Sequence, residues 1–153
     1  MASGSDGTIS MERKFKKIIA NSRLLGKGSF GNVFGPFAWK GRACAIKRRV
    51  FDKYDLDGHI MKTQIDACNT WKSLNHKNLI MIFEAACDAN FNPPAMYTIM
   101  EFARGGSLED ALRKITSQLP IDVVKDWAKQ VASGMAYLHG NLIVHRDLKP
   151  GNS

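Results

Sequence analysis

Several classes of protein are excluded by what the sequence lacks. It has three cysteines in 153 residues, Cys44, Cys68 and Cys87, an odd number with no CxxC spacing. No complete disulfide framework or zinc knuckle follows, and a reducing compartment, the cytoplasm, fits best. The four histidines are scattered and form no HExxH, so no protein-built metal cage is visible. No apolar run approaches the ~20 residues of a membrane span. The longest candidate, Leu79–Cys87, is broken by Glu84. The opening MASGSDGTIS has no apolar signal core and no MGxxxS pattern, which argues against secretion and myristoylation. There are no internal repeats and no low-complexity segments.

What is present is globular. Hydrophobic residues make up 44% and charged residues 24%. A chain of this length should bury roughly 68–70% of its unfolded surface, so a core is possible. Basic residues exceed acidic ones, 22 to 14, for a net charge of +8. Part of the excess sits in two short clusters, Arg13–Lys17 and Lys47–Arg49. Such charge can attract nucleic acid or an anionic lipid surface. No RRM, KH or zinc-finger pattern accompanies it, so the expectation is a solvated basic arm and a strand with an exposed basic end, with no nucleic-acid partner.

Periodicity divides the chain. Residues 1–11 are small and polar and predict a loose tail, with 1–21 as a flexible N-terminal stretch. Residues 12–19 suit a strand or one helical turn. Leu24–Leu25, then VFGPFAW, then ACAIKRRV predict three antiparallel strands, with a turn at Lys40–Gly41 and an edge or bulge at Pro36. Residues 52–61 read as a loop. Helical spacing of apolar residues predicts a helix from about Lys62 to Leu74. Leu79–Cys87 and Met96–Phe102 read as strands around turn residues Asn90–Pro94. After Gly105–Gly106 the period becomes 3.6. Ser107 and Asp110 resemble a capping box before a short helix ending near Lys114. Val124, Trp127, Val131, Met135 and Leu138 mark one face of the longest helix, Asp122–His139. Leu142–Val144 suggests a short strand.

Three motifs carry chemistry. Gly26-Lys27-Gly28-Ser29-Phe30-Gly31-Asn32-Val33 is a GxGxxG run. A dinucleotide-binding turn would open a helix and want an acid about 20 residues on. Here a strand follows, and Ile46 and Lys47 occupy those positions. What remains is a strand–loop–strand flap whose glycines let backbone amides approach phosphates. Ala43-Cys44-Ala45-Ile46-Lys47 is an alternating strand ending in lysine; alone it would be a half-buried strand with a snorkelling Lys47. Behind the flap, Lys47 becomes the strand lysine that pairs with nucleotide phosphates. The third motif decides the reading: residues 145–152 are His-Arg-Asp-Leu-Lys-Pro-Gly-Asn, matching H-R-D-L-x-x-x-N. Asp147 can accept or orient a substrate hydroxyl proton. Asn152 can turn back to hold a Mg²⁺ on phosphates, and Lys149 can meet a transferred phosphoryl group as a point charge.

On these motifs, residues 22–153 resemble a eukaryotic protein kinase domain. Asp-Leu-Lys-Pro resembles the serine/threonine class. Met-Glu-Phe-Ala-Arg-Gly-Gly-Ser-Leu and Trp-Ala-Lys-Gln-Val-Ala-Ser-Gly-Met-Ala-Tyr-Leu-His resemble the mixed-lineage and growth-factor-activated MAP kinase kinase kinases. The resemblance implies an α+β fold: an N-lobe over about 22–100, with five antiparallel strands and one helix, a hinge at about 100–106, and the first helical part of a C-lobe over about 107–153. It implies ATP and Mg²⁺ as cofactors and a protein substrate with Ser or Thr, such as a MAP kinase kinase. Asp147 and Lys149 would be catalytic, and Asn152 a metal ligand. Leu25, Gly26, Lys27, Gly28, Ser29, Phe30, Gly31, Val33, Ala45 and Lys47 would bind the nucleotide. The backbone of Glu101 and Ala103 would meet the adenine edge, with Met100 as gatekeeper.

Two departures from the family follow. Its N-lobe helix carries a Glu nine residues before the His of Leu-Asn-His, and here that position is Ala67, with Asp66 beside it. The sequence also stops one residue after Asn152, without an Asp-Phe-Gly. The expectation is that these 153 residues alone are inactive. The rival reading is a non-catalytic kinase-like decoy or interaction module.

Overall fold

In a computed structural model of the chain, the described residues are 6–28, 31–51, 58–88 and 94–153. They fall into two compact units, Met1–Leu74 with Met81–Phe102, and Asn75–Ile80 with Ala103–Ser153.

The first unit is built on a five-stranded antiparallel sheet in the order β1-β2-β3-β5-β4. The strands are β1 (Arg23–Gly28), β2 (Gly31–Trp39), β3 (Arg42–Val50), β4 (Ile82–Asp88) and β5 (Ala95–Glu101). β2 and β3 are joined at Lys40–Gly41, where φ is 47° and 78°. Positive φ at both residues makes a two-residue turn whose twist matches the strands it joins. Pro36 lies where the β2–β3 register shifts, between Phe34 and Phe37. A proline has no N–H to give the ladder, so the bulge takes it.

Alternation along β3 sends Cys44 and Ile46 to one face and Ala45 and Lys47 to the other. Cys44, Ile46, Ala95, Tyr97 and Ile99 form the buried core of the first face, with Trp39 beside them. α2 (Gly58–Ser73) packs against β4, tied by Lys72 Nζ to Glu84 Oε1 at 3.0 Å. The helix begins earlier than periodicity predicts, because Gly58–Met61 offer no apolar repeat. The remainder of the expected 52–61 loop, and most of the Asn90–Pro94 turn, lie outside the described residues.

The N-terminal stretch departs most from expectation. Instead of a loose tail and one helical turn, α1 (Asp6–Ala20) is a 15-residue helix. Phe15 is 0% exposed, with ring centroids 6.0 Å from Trp39 and 5.8 Å from Tyr97. Ile18 and Ile19, at i+3 and i+4, pack on the same core. An apolar triad among four basic residues is too sparse to announce a helix. The sheet supplies the other half of the contact, and most helix stability in proteins comes from such packing.

The second unit holds α3 (Leu108–Arg113) and α4 (Ile121–Gly140). The capping box is present: Ser107 Oγ accepts the Asp110 N–H at 3.1 Å, and Asp110 Oδ2 accepts the Ser107 N–H at 3.0 Å. Residues 75–80 are held on α4. His76 stacks on Tyr137 at 5.0 Å, its Nε2 lies 3.3 Å from Ser133 Oγ, and the Asn75 N–H donates to the Tyr137 hydroxyl. Gly134 permits this approach, since a Cβ there would stand 3.1 Å from the Asn78 carbonyl.

Leu142–Val144 is not a strand. The Leu142 and Ile143 amides turn back to the carbonyls of His139 and Leu138 at 2.9 Å each. Leu142 is left-handed (φ 59°) and 94% exposed. The orphan carbonyls ending α4 take the amides that a strand would have needed.

Candidate active site

The first unit presents a flap and a strand face. In the β1–β2 hairpin Gly26 pairs with Val33, Lys27 with Asn32, and Gly28 with Gly31; Leu25 sits at the register shift. Ser29 and Phe30 lie outside the described residues. Gly31 is irreplaceable on two counts. Its φ is +117°, and a Cβ would collide with the Arg48 carbonyl oxygen.

Register places the expected side chains together. Val33 pairs with Lys47, Lys47 with Thr98, and Ala45 with Met100, so these five share one sheet face. Ala45 is 4% exposed and Lys47 is half-buried. The Glu101 N–H donates to the Met81 carbonyl at 2.8 Å, which leaves the carbonyl as the backbone group Glu101 can offer. In the second unit, the Ala103 carbonyl accepts the Gly106 N–H at 3.2 Å, which leaves its N–H.

The helix carboxylate position is resolved differently from the family pattern. Asp66 and Ala67 both lie on the exposed side of α2. Gln64, Ile65, Cys68 and Trp71 turn inward instead. Gln64 Oε1 accepts from Arg49 Nη1 at 3.3 Å, and Cys68 Sγ lies 3.9 Å from Thr98 Oγ1. Burial pushes the Cys68 thiol up, against a smaller lowering by Thr98 and then Lys47. Neither Thr98 nor Cys68 stood out in the sequence, because neither belongs to a motif.

The second unit presents the His145–Asn152 loop. Asp147 Oδ2 accepts two hydrogen bonds, from Asn152 Nδ2 at 2.7 Å and from Lys149 Nζ at 3.1 Å. Asn152 Nδ2 also reaches the Asp147 carbonyl at 2.9 Å, and the Asp147 N–H donates to His145 Nδ1 at 3.3 Å. Lys149 first, then Asn152, hold the Asp147 carboxyl below the usual carboxylate range. Among the described residues both bonds fall on Oδ2, so Oδ1 is left to receive an incoming hydroxyl proton. Arg146 is left-handed, φ 67°, a conformation worth about 1–3 kcal/mol of strain for a non-glycine residue. The 3-10 turn Pro150–Asn152 anchors the loop. The Ser153 carbonyl accepts the Leu108 N–H at 2.7 Å, and Ser153 Oγ donates to the Lys149 carbonyl at 3.0 Å. Glu109 Oε2 would lie 2.8 Å from any Cβ at Gly151, a contact that no motif announces.

The donors suit a nucleotide with a hard cation. No group of three or more His, Cys, Asp or Glu able to hold a metal occurs among the described residues. Asn152 spends its amide nitrogen on Asp147, which leaves Oδ1. A single such oxygen fits Mg²⁺, which takes few protein ligands and fills its shell with phosphates and water.

Comparison with known proteins gives a consistent answer. The family described as Protein kinase domain matches residues 19–153. The chain is 36% identical to human mitogen-activated protein kinase kinase kinase 10 over 84% of its length, covering 13% of that protein. It is 33% identical to the Arabidopsis thaliana serine/threonine-protein kinase VIK over 87%, covering 29% of that protein. It is 30% identical to the Arabidopsis thaliana mitogen-activated protein kinase kinase kinase YODA over 97%, covering 16%. The chain thus spans less than a third of each of these relatives.

Proposed function

The chain belongs to the eukaryotic protein kinase family, serine/threonine type, and on that premise we propose that its protein transfers the terminal phosphoryl group of Mg-ATP to Ser or Thr hydroxyls of a protein substrate. Similarity to MAP kinase kinase kinases supports a MAP kinase kinase as the substrate class and a signalling role. Three free cysteines support a cytoplasmic setting. No described helix is long and apolar enough to cross a membrane.

The observation that carries the reading is the Asp147–Lys149–Asn152 cluster, with both partners on one carboxylate oxygen and the other oxygen open. ATP with Mg²⁺ would supply the transferable group and neutralise charge on its oxygens. The flap residues Leu25–Gly28 and Gly31, with Ser29 and Phe30 between them in sequence, would bring backbone amides to the phosphates. Val33 and Ala45 would cover the adenine, and the Glu101 carbonyl and Ala103 N–H would meet its edge. Lys47 would set a positive charge on the phosphates, and Asn152 Oδ1 would be the amide oxygen offered to the cation. Asp147 Oδ1 orients the acceptor hydroxyl and takes its proton. Lys149 sits on Asp147 Oδ2 and can then meet the phosphoryl group. Phosphoryl transfer relies on such positioning and charge placement more than on covalent chemistry by the protein.

The test is Lys47→Met, assayed in the protein at its native length. Transfer should fall by at least about a hundredfold while circular dichroism stays unchanged, because Lys47 supplies charge and not core packing. Unchanged turnover would sink the assignment.

A further inference from the structure

The Arg13–Lys17 cluster has no part in phosphoryl transfer, and α1 gives it a definite setting. Phe15, Ile18 and Ile19 face the sheet and pack into the protein's own core. Arg13, Lys14, Lys16 and Lys17 are all exposed on the outward side. Two further cations adjoin them. Lys14 Nζ lies 4.5 Å from the Trp39 ring centroid; Lys40 follows Trp39 in the chain, and Arg42 pairs with it across the β2–β3 ladder. Arg42 in turn lies over Phe83, 5.4 Å from the ring centroid, and Phe83 packs on the same core. Lys40 and Arg42 are exposed as well. Six cations therefore border one helix-covered sheet face, and α1 carries four basic residues against two acidic ones.

We propose that the outward face of α1, with the adjoining Lys40 and Arg42, is a docking surface for an anionic phospholipid bilayer. Charge complementarity selects the class, and three observations select the bilayer. The aromatic residues beneath the patch, Phe15, Trp39 and Tyr97, are buried, so single-stranded nucleic acid finds no platform on which to stack bases. Four of the six cations are lysines, whose compact ammonium groups suit smeared headgroup charge. The more exacting fork of arginine suits a defined carboxylate, and one of the two arginines is engaged on Phe83. Because the sheet takes Phe15, Ile18 and Ile19, these side chains cannot insert. Binding is peripheral, electrostatic and salt-labile, unlike that of an amphipathic helix lying in the headgroup layer.

The experiment is cosedimentation of the 153-residue protein with vesicles of phosphatidylcholine alone or doped with phosphatidylserine. Binding should appear only with phosphatidylserine and vanish near 1 M salt, where the screening length is about 3 Å. Each cation near such a surface contributes roughly fivefold to partitioning. Arg13→Gln combined with Lys17→Gln, which leaves Lys14 on Trp39, should weaken binding roughly 25-fold with an unchanged near-ultraviolet spectrum. If that variant does not fold, the salt titration of the unaltered protein decides. Equal binding to neutral vesicles, or undiminished binding by the double variant, would overturn the proposal. So would capture of single-stranded RNA or an acidic peptide under conditions where anionic vesicles are ignored; the patch would then serve that partner.

Discussion

Asp147 receives Lys149 and Asn152 on the same oxygen, and this sets both its charge and its direction. Lys149→Met should let its pKa climb back toward the ordinary carboxylate value, read by NMR titration of the side-chain carboxyl. The sign follows from linkage. A folded-state value below the unfolded one gives a stabilising contribution that is present above the unfolded value and fades as pH falls through the folded one. Being at the surface, the contribution is small. A second residue-scale expectation concerns Cys87, whose thiol burial pushes up to about 11, with Cys68 adding to the rise. Alkylation of Cys87 should be slow at neutral pH and accelerate only as pH approaches that value, measured by peptide mass spectrometry. Asp66→Ala should change stability by less than about 0.5 kcal/mol in a denaturant titration, since the residue faces outward. Asp147, Lys149 and Asn152 were legible in the sequence because an eight-residue spacing fixes them. Thr98 and Cys68 were not, because their neighbours depend on strand register and helix rotation, which emerge only when the sheet assembles.

At the scale of elements, α1 is the feature with the largest expected consequence. Phe15→Ala removes a fully buried ring between Trp39 and Tyr97 and should cost about 3–5 kcal/mol, seen as a lower denaturant midpoint. Arg13→Gln, on the outer side of the same helix, should leave the midpoint unmoved. The five strands were readable because alternation and glycine punctuation are local signals, and the Ser107–Asp110 cap because it needs only four residues. α1 and the Leu142–Val144 segment were not, for a shared reason. Each takes its conformation from a partner distant in sequence or already folded: the sheet for Phe15, and the carbonyl end of α4 for Leu142 and Ile143.

At the scale of the molecule, the proposed reaction would draw on groups from both units. The first would offer backbone amides and Lys47 for phosphates, and the second Asp147 and Asn152 for the acceptor and the cation. The family match over residues 19–153 spans both, while most of α1 lies ahead of it. The measurement that tests this most directly is transfer of radiolabelled γ-phosphate to a serine- or threonine-containing protein substrate, comparing unaltered protein at its native length with Asp147→Asn. Label should appear on Ser or Thr, and the substitution should lower turnover by roughly 10²–10⁴-fold, the range for a proton-transferring group. Wild-type turnover in Asp147→Asn, or no transfer by the unaltered protein to any hydroxyl substrate, would contradict the account.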